Sequence, residues 1–402
     1  MNAPDIFSPA FIADPYPLYR TMRDDHPLYF HVAAKAHVLS RYNDVRLATT
    51  SAEFTTQSYA TQLEPLLGLT IIQLDGADHA RQRRLLAAPF RTDNIRASFG
   101  AAIAAHAERL IAGFRERGEV ELVAEFIAAY PVGVLAAILG LPPQDRDQFR
   151  TWYTALLRFG LNLVGDPEVT RAGLSARDAL DAYLHPVVAA HRGRPGASLL
   201  AMLANSEVDG QQLSDDEIVR FGMLMIFAGG ETVEKTLATF MRNLVAHPEQ
   251  LAELRERPEL MSRALAESMR YTAPTHMIPR RTCSAVQVSG GEIPADTEVL
   301  CFLGSANRDE RRFAQPDRFD MHRADLDSDR AFSAAADHLA FGAGRHFCIG
   351  AMLAKFEVEV AMGCLLRAMY DIRFADNAPP PDFGLFLRGP TSLKLRYRPM
   401  HR

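Results

Sequence analysis

From Ser214 to His247 the sequence describes one long helix, and a helix of that length decides the fold class. Ser214-Asp-Asp-Glu217 has the spacing of a capping box, in which the hydroxyl and the carboxylate each satisfy a backbone N–H that the first turn leaves without a partner. Helical apolar spacing then continues to His247-Pro248, where the proline disfavours helix at the residue before it. Roughly thirty residues at 1.5 Å each give a rod of about 45 Å, enough to cross a whole domain. Arg220, Glu231, Glu234 and Lys235 interrupt its apolar surface, and such charges are too costly for a membrane span. Near its middle stands Gly229-Gly230-Glu231-Thr232. Each glycine costs about 1 kcal/mol relative to alanine, so the pair marks either close helix packing or a local opening of the helix beside a ligand.

Helical spacing also covers 97–117, 144–160, 168–192, 249–272 and 351–370. Strand-like segments are few, at about 28–40, 285–302 and 384–397, the second with a two-glycine turn in Val286-Gln-Val-Ser-Gly-Gly-Glu-Ile-Pro. The pattern predicts a mainly α protein with a minor β subdomain. No repeat, low-complexity tract or linker divides it, so residues 1–402 read as one domain. A formal net charge of −5 argues against nucleic-acid binding. The four cysteines are too few for a disulfide scaffold, and without a CxxC pair a zinc ribbon or thioredoxin-like redox pair is excluded. The N-terminus, Met1-Asn-Ala-Pro-Asp-Ile-Phe, lacks a basic region followed by an apolar run, so the expectation is a cytoplasmic protein with no membrane association.

The strongest chemical signal is Phe341-Gly-Ala-Gly-Arg-His-Phe-Cys-Ile-Gly350. Its glycines permit positive φ and close backbone approach to a ligand. Cys348 stands just before a helix start, where the partial positive charge favours thiolate over thiol. Three readings of it are open from the residues alone: a small core hydrophobe, a nucleophile with His346 two residues away, and a thiolate ligand to haem iron.

This segment resembles the haem-ligand loop of the cytochrome P450 superfamily, FGxGxHxCxG, at all six specified positions: Phe341, Gly342, Gly344, His346, Cys348 and Gly350. A chance match in a chain of this composition is on the order of a few in a million. Shorter elements follow in the family's order: Asp14-Pro-Tyr-Pro-Leu-Tyr19, His79 with Arg83, Ala228-Gly-Gly-Glu-Thr232, Glu267-Ser-Met-Arg270 and Pro316-Asp-Arg-Phe319. Each is weak alone; ExxR occurs three times here, and only Glu267/Arg270 precedes the expected proline and strand.

The resemblance implies the cytochrome P450 fold and a bacterial, stand-alone haem-thiolate monooxygenase, with Cys348 as the axial iron ligand. Cofactors would be haem b, O2 as co-substrate, and electrons from NAD(P)H. Phe341 and Gly342 would shape the loop, while His79, Arg83, Arg281 and His346 would hold the haem propionates through charge-assisted hydrogen bonds. Arg280 stands next to Arg281, so the register could differ by one residue. Glu231 and Thr232 would form an acid–alcohol pair: splitting O2 consumes two protons, which the carboxylate relays from solvent to a water held by the hydroxyl. After Thr232 many relatives carry a second hydroxyl residue, whereas this chain has Val233 and Glu234. Glu267, Arg270 and Arg318 would be a buried structural network.

The substrate pocket would include Ala228, His276, Met277, Ile278, Phe386 and Leu387, mostly apolar, which implies a hydrophobic small molecule. His276 could instead sit on the rim in water. Arg81, Arg84, Arg91 and Arg345 would offer a basic surface to an acidic ferredoxin served by a separate ferredoxin reductase. The enzyme would be a monomer that hydroxylates or epoxidises its substrate, in natural-product tailoring or catabolism. Two other readings remain: a hydrogen-peroxide-dependent peroxygenase, whose members usually lack the acid–alcohol pair, and a non-catalytic haem or ligand-binding protein.

Overall fold

The computed structural model describes residues 3–160, 162 and 165–400, apart from the side chains of Thr61 and Gln62. The capping box forms as expected: the Ser214 hydroxyl accepts from Glu217 N at 3.1 Å, and the Glu217 carboxylate accepts from Ser214 N at 2.9 Å. The helix then runs unbroken over Asp215–Ala246. Other predicted helices appear at Arg146–Gly160, Pro167–His191 and Ala351–Ala368. The segment expected as 97–117 starts earlier and ends sooner, at Thr92–Ala112. The expected 249–272 helix is two, Pro248–Glu256 and Met261–Tyr271, because Pro258 opens a short 3-10 turn between them.

The chain divides into two compact units. The first comprises the residues up to Thr55, Glu108–Ala128 and everything from Thr232 onward. It contains the β structure predicted near the chain ends. A five-stranded sheet joins Leu28–His31, Ala36–Leu39, Glu298–Cys301, Ile278–Thr282 and Phe54–Thr55, in that spatial order. Val286–Val288 and Gly291–Ile293 form the two-glycine hairpin, with Gly290 at φ 94°. Met369–Phe374, Lys394–Pro399 and Glu119–Glu121 make a three-stranded sheet, of which the first and last strands were not predicted. Two apolar clusters fill this unit: Leu39, Val45, Phe54, Val299, Phe313 and Leu339 in one, and Ile6, Phe11, Tyr19, Met22, Val38, Met277 and Phe302 in the other.

The second unit is Thr56–Ala107 with Ala129–Glu231. It is helical apart from the small Glu207–Val208/Gln211–Gln212 hairpin. Here the glycine pair of the long helix finds its explanation. A Cβ on Gly229 would stand 3.2 Å from Leu135 Cδ2, and one on Gly230 would stand 2.3 Å from the Tyr153 hydroxyl. The helix does not open at these residues; they let neighbouring side chains close on its backbone. Among the described residues no helix is long and apolar enough to cross a membrane.

Candidate functional site

The cysteine loop belongs to the first unit and is built by local bonds. Gly342 and Gly344 lie at φ 70° and 67°, the left-handed region that glycine enters without strain. At Gly344 the need is also steric: a Cβ there would stand 2.7 Å from the Thr49 carbonyl oxygen and 2.9 Å from Thr50 Cα. Gly344–His346 turn as a 3-10 segment, and Cys348 N donates to the Phe341 carbonyl at 3.0 Å, closing the loop. Arg345 is not a free surface charge. Its guanidinium donates to the Ser51 carbonyl at 3.1 Å and to the Phe54 carbonyl, pinning the loop to the adjacent strand. Leu339 N is held by Asn307 Oδ1 at 2.6 Å, and the Phe341 ring packs against Phe332 and Phe347.

Cys348 emerges from this frame exposed, whereas Cys301 and Cys364 are buried. The helix Ala351–Ala368 begins three residues later. Placement outside the core removes the packing explanation for the cysteine. Among the described residues no three His, Cys, Asp or Glu side chains gather into a metal-holding group. A single cysteine presented from a glycine loop would suit an iron whose other ligands a bound cofactor supplies. Nine residues on, Glu357 is buried, and that burial pushes its carboxyl up to about 8. Sequence reasoning missed it, although it is a carboxylate on the apolar stripe formed with Leu353, Val358 and Ala361.

Two arginine assignments change. Arg281 donates to Asp296 at 2.7 Å and Glu298 at 2.8 Å on the sheet surface, so its charge is already matched. Arg280, one residue earlier and on the other face of the strand, is 5% exposed. Among the described residues its guanidinium donates to its neighbour's carbonyl, Pro279 O, at 2.8 Å, and no carboxylate pairs with it. Arg280 is thus a buried cation with no carboxylate partner among the described residues.

Likewise Arg318 projects outward, with a side chain 66% exposed and only a 4.0 Å approach to Asp320. The third member of the buried network is Arg323, whose Nε lies 2.9 Å from Glu267 Oε2. Arg270 makes a bidentate pair with Glu267 at 2.7 and 2.8 Å and donates to the carbonyls of Asn307, Pro316 and Arg318. Arg318 therefore contributes a backbone oxygen, not a charge.

The pocket assignments divide. Phe386 and Leu387 lie half-buried at the tip of the Asp382–Phe383/Gly389–Pro390 hairpin, where Leu387 bridges to Thr275. Ile278 is half-buried, but Met277 is committed to the core cluster with Phe11 and Tyr19. His276 is fully buried, not on a rim: Nδ1 meets the Tyr19 hydroxyl at 2.8 Å, and its ring packs beside Tyr16. Burial, with lesser pushes from Arg388 and Arg308, drives its pKa down to about 3, so it is a neutral imidazole. Thr232 is half-buried on the long helix, and its carbonyl accepts a bond from the Thr236 hydroxyl at 2.7 Å. Such a back-bond bends a helix slightly.

In the second unit, His79 is buried on the helix Gly76–Ala87 and Arg83 is half-buried one turn on. Arg81 is ion-paired with Glu217, and Gln82 donates to the same carboxylate at 3.0 Å. Arg84 and Arg91 are exposed. Glu231 is half-buried. Ala228 is exposed although Phe221–Ile226 before it are buried.

Comparison with known proteins agrees with this construction. A family model described as "Cytochrome P450" matches residues 176–396. Pulcherriminic acid synthase of Bacillus subtilis is 35% identical over 98% of this chain and 97% of its own. The cyclomarin C epoxidase CymV of Salinispora arenicola is 33% identical over 94% of this chain and 95% of its own. Among solved structures, ligand-free cytochrome P450 TbtJ1 superposes with a TM-score of 0.86 at 31% identity, covering 98% of this chain and all of that one. The exposed cysteine of a glycine loop, the buried Glu267–Arg270 pair and full-length likeness meet in one conclusion: the chain belongs to the cytochrome P450 family.

Proposed function

We propose that Cys348 holds the haem iron and that residues 1–402 act as one catalytic domain, inserting an oxygen atom of O2 into a hydrophobic small molecule by hydroxylation or epoxidation. The observation that carries the assignment is the exposed Cys348 in a loop closed by its own N–H on the Phe341 carbonyl. As in its family, this monooxygenase uses haem, which when bound supplies the oxygen-activating chemistry with electrons from NAD(P)H delivered by redox partner proteins.

Each remaining role belongs to a side chain of this protein. His79, Arg83, Arg280 and His346 would hold the haem carboxylates. Arg280 replaces Arg281 because a buried guanidinium without a counterion is costly unless an anion joins it. Thr232 would hold a water by its hydroxyl, and Glu231 would pass it protons from solvent. Phe386, Leu387, Ile278 and Ala228 would form apolar walls for the substrate. Relatives named for pulcherriminic acid synthesis and cyclomarin C epoxidation support a natural product as that substrate. Arg84 and Arg91 are exposed and suit an acidic ferredoxin served by a ferredoxin reductase, with a monomeric enzyme in the cytoplasm. Arg81 and Arg345 drop out of this surface because their charges are already engaged.

The test is the dithionite-reduced, carbon-monoxide spectrum of the native protein beside Cys348→Ala. The native protein should show the strongly red-shifted Soret band of a thiolate-ligated haem, and the variant should lose it. A native, haem-replete sample without that band would remove Cys348 as ligand.

A further inference from the structure

Around His276, inside the first unit, several buried polar groups lack a partner. His276 Nε2, the hydroxyls of Tyr16 and Thr272, and Arg388 Nε are all enclosed with no hydrogen bond. His276, Thr272 and Arg388 are 0%, 3% and 2% exposed as whole residues. They share one neighbourhood. The Tyr16 and His276 rings lie 5.9 Å apart, and the Tyr16 side chain lies beside that of Thr272. Arg388 is near enough to be the strongest charge acting on His276. Buried polar atoms that the protein leaves unsatisfied are ordinarily satisfied by ordered water, each molecule making about three bonds.

The same residues anchor the hairpin Asp382–Pro390. His276 N donates to the Phe386 carbonyl at 2.8 Å, and Arg388 N donates to Pro274 O at 2.8 Å. The Arg388 guanidinium has no carboxylate partner among the described residues. It donates instead to the carbonyls of Ile12, Ala13 and Gly384 at 2.6–2.9 Å. Gly384 turns at φ 114°, where an added Cβ would stand 1.9 Å from the Leu387 carbonyl oxygen, so the turn into the tip requires glycine. Its position is set from outside, by the 272–276 segment and the N-terminal helices.

We infer that ordered water completes His276, Tyr16, Thr272 and Arg388, and that this buried hydrated cluster fixes the tip Phe386–Leu387, making His276 a positioning residue for substrate. The inference rests on the reading that this tip borders the substrate. His276 then acts through its backbone N–H on Phe386 and through its ring on the water, without touching the substrate.

The experiment uses the haem-loaded enzyme, with an atomic-resolution crystal structure and two probes, imidazole and 4-phenylimidazole. Imidazole reports ligation to iron alone, whereas the phenyl group of the second also reports on the pocket wall. Ordered water should lie within hydrogen-bond reach of His276 Nε2 and the Tyr16 hydroxyl. His276→Phe keeps the ring volume and removes both nitrogens. It should weaken 4-phenylimidazole about tenfold while leaving imidazole affinity and the carbon-monoxide spectrum unchanged. Tyr16→Phe, a smaller change, should move the same ratio two- to threefold and covers the case in which His276→Phe does not fold. A dry cluster, or both variants leaving the ratio unchanged while Leu387→Ala shifts it, overturns the inference. Water present with Leu387→Ala silent would overturn the pocket reading of the tip instead.

Discussion

Substituting Arg270, Arg323 and Arg318 one at a time by alanine should give three different losses, and their order follows from burial. Arg270→Ala leaves the Glu267 carboxylate, 1% exposed, without its bidentate partner and frees three carbonyls. Glu267 then keeps only the single Arg323 contact and the Asp320 N–H, and breaking a buried pair costs about 3–5 kcal/mol. Arg323→Ala costs less. Glu267 keeps Arg270 and the Asp320 N–H, so the loss is two charge contacts, to Glu267 and the half-buried Asp325, plus bonds to Ala314 O, Gln315 O and Arg318 O, about 2–3 kcal/mol. Arg318→Ala removes a side chain 66% exposed and should stay within about 0.5 kcal/mol. The unfolding entropy of a 402-residue chain is about 0.8 kcal/mol/K, so 4 kcal/mol lowers the midpoint by about 5 °C. Thermal and denaturant unfolding of the haem-loaded protein, followed by far-UV circular dichroism, measures all three. Arg318→Ala matching Arg323→Ala would refute the assignment of the network to Arg323.

Arg280→Leu should lower haem retention during dialysis against apomyoglobin, whereas Arg281→Leu should leave it unchanged, because Arg281 already holds Asp296 and Glu298; the opposite order would restore the first assignment. Gly230→Ala should cost about 1–3 kcal/mol by driving a methyl into Tyr153, and Tyr153→Ala should recover part of it; equal losses in single and double variants would refute close packing as the role of the glycine. Burial holds His276 near 3 and His338 near 4, so the unfolded chain binds their protons first, near pH 6.5. Stability should therefore be full above about pH 6.5 and fall as the pH drops toward 4. Glu357, raised to about 8, has the opposite sign: its contribution is full below about pH 4.5 and lost as the pH rises through 8. Denaturant titrations across this range should show Glu357→Gln flattening the alkaline side, and an unchanged slope there would contradict a neutral buried carboxyl.

What was legible in the sequence was local. The capping box, the Phe341–Gly350 loop and the two-glycine hairpin each place their interacting atoms within ten residues, so residue type and spacing carry the geometry. What was not legible depends on distant partners. Gly229 and Gly230 are explained by Leu135 and Tyr153, about eighty to ninety residues away, and no helical period reveals such neighbours. His276 sits between a helix end and a strand, without periodicity, and only the N-terminal aromatics show that it is enclosed. Arg318 and Arg323 are both flanked by turn residues, and the direction of each is fixed by which backbone carbonyls Arg270 draws inward.

The pair Arg280-Arg281 shows where the boundary lies. Two identical side chains in sequence cannot be told apart by composition, yet a strand sends them to opposite faces. Cross-strand register then decides their fates: Glu298 lies opposite Arg281 and neutralises it, while Arg280 faces inward. A residue pattern alone could have used this, because Glu298 and Arg281 fall in register once the hairpin between them is counted. A guanidinium 5% exposed with no carboxylate among the described residues is unfavourable as it stands. Its burial would be tolerable in a protein whose working state brought an anion to that face, the role proposed above for a haem carboxylate.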